Sequence, residues 1–458
     1  MPRLLAINHT DDLLFGHAVK PVRCGYEVTI GGGQVFPEIN FTLPPIDINT
    51  ATWSQIRNEY QTIISEICQR ATELHCPGLV VEFELLPPMT LNPGWGAEIT
   101  EIIKSTLDRF YHKEQLHSAL RVTPVDIREN TRPPKMRQGP LLEKVLESFR
   151  LCAKAGADLL AIESTGGKEL HDDALVMGDL RGIVFALGVL GVRDMEFLWK
   201  HIVTISREHN IIASGDTACG FANTAMVLAE KKMIPRVLAT LVRSASVVRS
   251  LVACWQGAVG PTKDCAYEGP FIKAITGVPI SMEGKSSACA HLSPLGNIAS
   301  TCCDLWSNES VQNIRLLSAS APVVSLEQLI YDCRLMNEAI RTGKSTALCL
   351  QKLFSGSDAA YDPQAYILQP EIVITISKKI IAAKTPLQMT LAAVDATLDI
   401  LDSAVKKKDL LLSAIELRWL DMLKYQRDSI AEDESVLWQD VITASNDRKF
   451  DSKEYNLE

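Results

Sequence analysis

Short apolar runs that alternate with longer amphipathic stretches constrain this chain more than any other feature. The runs are Gly78–Leu85, Leu120–Ile127, Ala157–Glu163, Ile211–Asp216, Leu251–Val259, Gly277–Met282 and, as the faintest of the seven, Ile314–Ser320. Between them stand helical patterns such as Pro140–Ala155 and Arg193–His209, which is the rhythm of βα units and a parallel sheet. Seven runs leave a closed (β/α)8 barrel one strand short, and the N-terminal region and Ile372–Ile376 are the places to seek the eighth. A TIM barrel is favoured over a doubly wound sheet because no glycine-rich fingerprint marks a dinucleotide switch point.

The rest of the chain is arranged around those units. A first helix is expected from Thr52 to Leu74, with Ile56, Tyr60, Ile63, Ile64, Ile67 and Ala71 on one face and Thr52 with Gln55 as a capping box. Ahead of it, Tyr26 to Phe41 is glycine-rich and reads as a hairpin or extended entry; Gly31-Gly-Gly33 lacks the helix that phosphate binding would require. From Leu326 the pattern is helical, clearest over Leu391–Val405, Asp409–Tyr425 and Glu434–Thr443, and Ser445–Glu458 is polar enough to fray. The expected division is an N-terminal extension over 1–75, a TIM-barrel catalytic domain over 76–325, and a helical region over 326–458 that completes or caps the barrel.

With 458 residues, 47% of them hydrophobic, the chain has material for a large core without disulfide staples. A formal net charge of −9, with basic residues spread singly, offers no footprint for nucleic acid or anionic lipid. Twelve irregularly spaced cysteines, after an opening Met1-Pro-Arg-Leu-Leu-Ala-Ile-Asn-His9 too short in apolar length for a signal core, suit reduced thiols in a cytoplasm. The best membrane candidate, Leu180–Val192, contains Arg181 and falls short of the roughly 20 residues a span needs. A soluble protein is expected.

Ionisable residues gather where the strands should end: Glu82 and Glu84, Asp126, Glu163, Asp216 with Cys219, Lys263 with Cys265, and Glu283 with Lys285. In a parallel barrel these ends converge on the face that carries catalytic groups. A helix cap or a solvated loop charge is the favoured reading of Glu82 and Asp126. Glu163, Cys219 and Cys265 together match the three protein ligands of a catalytic zinc. No CxxC or HExxH spacing supports the set, buried cysteines are commonly inert, and Cys289-Ala-His291 competes with it.

Longer motifs then carry a family resemblance. Gly260-Pro-Thr-Lys-Asp-Cys-Ala-Tyr-Glu-Gly-Pro270, Lys273-Ala-Ile-Thr-Gly277, Pro279 through His291, Phe36-Pro-Glu-Ile-Asn-Phe-Thr-Leu-Pro44, Glu163-Ser-Thr-Gly-Gly-Lys-Glu169, Asp216-Thr-Ala-Cys-Gly-Phe-Ala-Asn223 and Leu305 through Asn313 resemble the zinc-dependent methanol:corrinoid methyltransferases. The likeness is dense from Val28 to Asp332 and looser beyond. It implies a TIM barrel with one zinc held by Glu163, Cys219 and Cys265, and transfer of the methyl group of methanol to cob(I)alamin on a separate corrinoid-binding protein. It also implies a homodimer within a hetero-oligomer. Only Glu73-Leu-His-Cys-Pro-Gly78 approaches a corrinoid-binding DxHxxG motif, with glutamate in place of aspartate, so the corrinoid is expected on the partner.

Two thiolates and a carboxylate set a formal −3 against the +2 of zinc. Such a site acidifies an oxygen ligand less than three imidazoles would, so a nearby acid matters more. Asp179 is the first candidate and Glu283 the second, with His171, Asp172 and Asp173 in the same stretch as Asp179. Capping of the helix that starts at Leu180 is the alternative for Asp179, and pairing with Lys285 the alternative for Glu283.

Overall fold

The computed structural model of the chain describes residues 4–42, 46–284, 295–311, 319–444 and 450–457. β1 (His17–Cys24) and β2 (Val28–Gly32) form an antiparallel hairpin. Gly31, inside β2 and facing the irregular stretch of β1, has φ +79°, and a Cβ there would lie 2.5 Å from that of Ala18, so that position requires glycine.

Seven parallel strands follow: β3 (Phe36–Thr42), β4 (Leu79–Leu85), β5 (Ser118–Pro124), β6 (Leu159–Ile162), β7 (Ile212–Asp216), β8 (Ser281–Glu283) and β9 (Leu305–Val311). Their order is β7-β6-β5-β4-β3-β9-β8. The open edges, β7 and β8, are joined by the extended segment Val259–Asp264. Val259 N and Gly260 N donate to Ala213 O and Ser214 O of β7; Ser281 N and Glu283 N of β8 donate to Thr262 O and Asp264 O. The ring closes, and its positions run in chain order.

The eighth position is therefore not where the apolar runs put it. Leu251–Val259 belongs, through Gln256, to the helix Arg236–Gln256, every residue of which from Val237 to Ala253 is buried. A helix enclosed on all faces has no polar stripe and so reads like a buried strand. That helix is also long and apolar enough to cross a bilayer, but nearly all of it is enclosed in this fold. Ile372–Ile376 lies inside the helix Pro370–Ala382, and most of Ile314–Ser320 falls outside the described residues. The N-terminal region does supply a ring strand, β3, so the barrel begins well before residue 76.

The first helix spans Trp53–Glu73 and buries the six anticipated residues. Its capping box does not form: Thr52 Oγ1 bonds to the Asp47 carbonyl and accepts from Asn49 N at 3.1 Å, serving the preceding turn instead. Helices Ala321–Thr342, Pro370–Ala382, Pro386–Lys407, Ala414–Asp428 and Glu434–Ala444 wrap the barrel, the first against β3 and β9 and the third against Arg236–Gln256. The chain end does not fray over 450–457. Gly167 N donates to the buried Tyr455 hydroxyl at 3.0 Å, and Arg137 N donates to Glu454 at 2.7 Å, which seats the tail behind the loop that follows β6.

Candidate metal centre

Glu163 stands one residue beyond β6 and bridges Val125 beyond β5. Two buried carboxylates pin the loop it opens. Ser164 N and Oγ donate to Asp216 at 3.3 and 2.8 Å, and Thr165 N and Oγ1 donate to Asp126 at 3.0 and 3.1 Å. Trp199 Nε1 and Ser164 Oγ share Asp216 Oδ2, with Arg249 close by. Cys219 opens a π-helical turn, Cys219–Asn223, after β7; turns of this kind recur at functional sites. Ala218 N donates to buried Glu268 at 2.8 Å. Cys265 follows the closing segment directly, and Ala266 N donates to Thr217 Oγ1 at 3.2 Å, tying the two cysteine loops together.

Three neighbouring ring positions thus deliver Glu163, Cys219 and Cys265 to one place. Their ligating atoms all lie within 4.8 Å of one another, and Cys265 Sγ donates to Glu163 Oε1 at 3.3 Å. Tetrahedral coordination with bonds of about 2.0–2.3 Å requires separations of this order, so the residues fit a zinc ion. Burial raises the Glu163 carboxyl to about 7 despite Lys263 beside it. Burial and the neighbouring Cys219 push Cys265 well above the ordinary thiol range. For Cys219 the hydrogen bond with Cys265 pulls the other way, but burial and the Glu163 charge prevail and it too is raised. Both thiols keep their protons until a metal displaces them.

Lys263 lies beneath the cluster, 1% exposed, with Nζ 2.7 Å from Glu82, 3.0 Å from Glu84, 3.3 Å from Glu163 and 3.6 Å from Asp264. Glu82 is therefore not a solvated charge. Asp126 is not one either: it is buried and paired with Arg128, which also binds Asp194. A second trio, Glu38, Glu82 and Asp264, also converges within 4.8 Å. It already holds cations of the chain itself, because Arg121 Nε lies 2.7 Å from Glu38 and Lys263 2.7 Å from Glu82. Glu38 and Arg121 were the residues that pattern reading passed over. Their signal was present as a charge within an apolar run, Phe36 to Phe41 and Leu120 to Val125, where a strand buried on both faces should carry none.

The two acid candidates separate. Glu283 is buried at the end of β8, and its charge reaches Cys219, whose pKa it helps to raise. Asp179 is exposed and caps the helix Leu180–Phe185, its carboxylate accepting from Arg181 N at 3.0 Å. The ten-residue helix Lys168–Met177 carries the chain about 15 Å from the loop after β6 before Asp179 is reached. Asp179 therefore has a capping role in this fold. His171 is buried on that helix, its Nδ1 3.2 Å from Asp172 and its ring against Phe221; Asp172 also pairs with Lys168. Asp173 is exposed. Lys285, Cys289 and His291 lie outside the described residues.

A cavity of about 190 Å³ opens over Glu163, with Glu84, Thr123, Asp126, Thr165 and Lys168 among its walls. A larger one, about 430 Å³, is lined by Asp12, His17 and Lys344 and shares no residue with the cluster.

Comparison with known proteins shows the family. The family profile described as methanol-cobalamin methyltransferase B subunit (MtaB) matches residues 3–456. The methanol–corrinoid protein co-methyltransferase of Methanosarcina barkeri strain Fusaro is 36% identical over 444 residues, covering 96% of this chain and 95% of that protein. A chain of the crystal structure of the methanol:cobalamin methyltransferase complex MtaBC from Methanosarcina barkeri superposes with a TM-score of 0.95 at 35% identity, covering 99% of each chain. With a closed parallel barrel and a carboxylate and two thiols converging at its rim, the chain belongs to the methanol-cobalamin methyltransferase B subunit family.

Proposed function

We propose that this chain activates methanol on a zinc ion held by Glu163, Cys219 and Cys265, and passes the methyl group to cob(I)alamin carried by a partner corrinoid protein. The convergence of those three side chains at the rim supports the reading most directly. Zinc held there supplies Lewis acidity toward the alcohol oxygen, which hydroxide as a poor leaving group requires. The rest falls to the chain. The cavity over Glu163 has room for a small alcohol and confines it beside that ligand. Glu283 holds the proton that the departing oxygen takes up, so the C–O bond breaks, a cobalt–carbon bond forms from the electron pair of cobalt, and water leaves. The protein works as a homodimer within a hetero-oligomer with the corrinoid protein, in the cytoplasm.

The test is direct. Zinc-loaded protein incubated with methanol and cob(I)alamin, free or on a candidate corrinoid protein, should yield methylcobalamin, followed by absorbance; no product with either acceptor rejects the reading. Two side-chain exchanges locate the proton. Glu283→Gln should retain zinc and lose on the order of 10²–10⁴-fold in turnover, as loss of an acid does, whereas Asp179→Asn, which preserves a cap, should turn over near normally. Equal rates in the two variants would remove Glu283 from the reaction.

Zinc binding itself should depend steeply on pH. Both thiols are protonated at neutral pH in the metal-free chain, so each zinc bound releases two protons. Affinity therefore falls about 100-fold for each pH unit of acidification. Below about 7, where Glu163 also holds a proton, the slope steepens toward about 1000-fold per unit. Titration against a chelator at several pH values reads both slopes, and a flat profile would mean that the ligands are not thiols.

A further inference from the structure

A charged layer fills the barrel beneath the metal cluster, where such barrels ordinarily pack branched apolar side chains. Every ring position except β6 contributes a buried polar group: Glu38, Glu82, Arg121, Ser214, Asp264, Ser281 and Ser307. Arg121 bonds to Glu38 at 2.7 Å, Ser214 Oγ at 2.9 Å and Pro261 O at 3.0 Å. Ser281 and Ser307 donate to Glu38 and Asp264, and Thr123 donates to Glu82 at 2.7 Å. Lys263 is the residue through which this layer touches the cluster above.

We propose that Lys263 is a positioning residue of the metal centre: anchored below by Glu82 and Asp264, its ammonium holds the Glu163 carboxylate in place as a ligand and supplies positive charge that the ligand set lacks. This rests on the zinc assignment made above. The distances give the direction of dependence. Nζ is closer to Glu82, at 2.7 Å, than to Glu163, at 3.3 Å, and Glu82 is itself fixed by Thr123. Lys263 therefore keeps its place without Glu163, while Glu163 takes its place from Lys263. The backbone around Glu163 is pinned through Ser164 and Thr165, but its side chain is held by Lys263 and by the Cys265 thiol. A metal takes the proton of that thiol, and the Cys265 bond to Glu163 is lost with it. Thiolate and carboxylate then repel, and the ammonium is the contact that remains.

A merely structural lysine and a positioning one respond differently to a second substitution. Lys263→Met leaves buried carboxylates without their cation and lowers stability, and the variant is at risk of not folding. Lys263→Met combined with Glu82→Gln removes the ammonium together with the buried carboxyl nearest to it and keeps an acceptor for Thr123, so stability should recover. Zinc affinity of the full chain is measured by chelator competition, and the cobalt(II)-substituted protein is examined for its ligand-field and thiolate charge-transfer bands. If Lys263 positions Glu163, the double variant still binds zinc about 10–100-fold more weakly than the unsubstituted chain, as loss of a group that orients a ligand does, and its cobalt bands shift. Affinity within about twofold of the unsubstituted chain, with unchanged bands, overturns the proposal, because loss of such an orienting group costs far more. The unsubstituted chain is titrated first; failure to bind zinc there overturns the metal assignment on which the proposal rests.

Discussion

Cys219→Ala and Cys265→Ala should each lower zinc affinity by more than about 100-fold, since even residues that only orient ligands cost 10–100-fold, and methyl transfer should disappear with the metal. Neither exchange threatens the fold. Cys219 is half-buried at the start of its turn, with Asn223 Nδ2 3.7 Å from its sulfur, and Cys265 is placed by backbone bonds of its neighbours. Alanine keeps the Cβ in both and removes a single atom. Cys254→Ala is the control: it sits on the helix Arg236–Gln256, away from the cluster, and its thiol is raised to about 12 by burial alone among its major causes. Removing that thiol should leave zinc and rate unchanged. Metal content after dialysis, read beside turnover, distinguishes the cases. Stoichiometric zinc in either ligand variant would show that other side chains hold it.

Whether a strand could be read from the chain depended on what it turned inward. β6 is an unbroken apolar run, and β4 and β7 keep enough apolar residues around Glu82 and Ser214 for their positions to be legible to within two residues. β9 was not legible, because Ser307, which bonds to Asp264 in the barrel's charged layer, and the buried Asn308 beside it interrupt the run. The closing segment Val259–Asp264 failed for the same reason, carrying Pro261, Lys263 and Asp264 where apolar residues were sought. The metal ligands were suggested by strand-end chemistry but selected by resemblance, since Cys219 and Cys265 belong to separate ring positions and no spacing connects them. The role of Lys263 depends on Glu82, Glu84 and Glu163, which come from two other strands, and periodicity carries no trace of that. Asp179 shows the converse: a cap preceding an apolar helix and an acid at a rim leave the same local signature.

Loss of the Arg128 guanidinium should be among the most destabilising single changes in the chain. Arg128 is fully buried, with Nε and Nη2 2.9 and 2.7 Å from Asp126, Nη1 and Nη2 2.8 and 2.9 Å from Asp194, and Nη1 2.8 Å from Met136 O. Breaking a buried pair from one side costs about 3–5 kcal/mol because a charge is left uncompensated, and Arg128→Met leaves two. The carboxylates are not equivalent. Burial opposes ionisation of both, but Asp126 also accepts from Arg128 N and from Thr165, and Arg128 brings its pKa below the usual range. For Asp194, burial and the Asp126 charge outweigh the same arginine, and its pKa is raised. The sign with pH follows. A depressed carboxylate stabilises the native state above its unfolded value of about 3.9, and that contribution is lost as pH falls through the folded value. In the variant the depression is gone and both groups oppose folding while ionised. The stability gap between Arg128→Met and the unsubstituted chain should therefore be widest near neutrality and narrow on acidification toward about pH 4. Urea-unfolding midpoints at several pH values measure it. A gap that does not change with pH would mean that the lost packing of the arginine stem, rather than its charge, sets the cost. Because Asp126 also pins Thr165, folded variant should bind zinc more weakly as well, which ties the stability of this buried triad to the loop that presents Glu163.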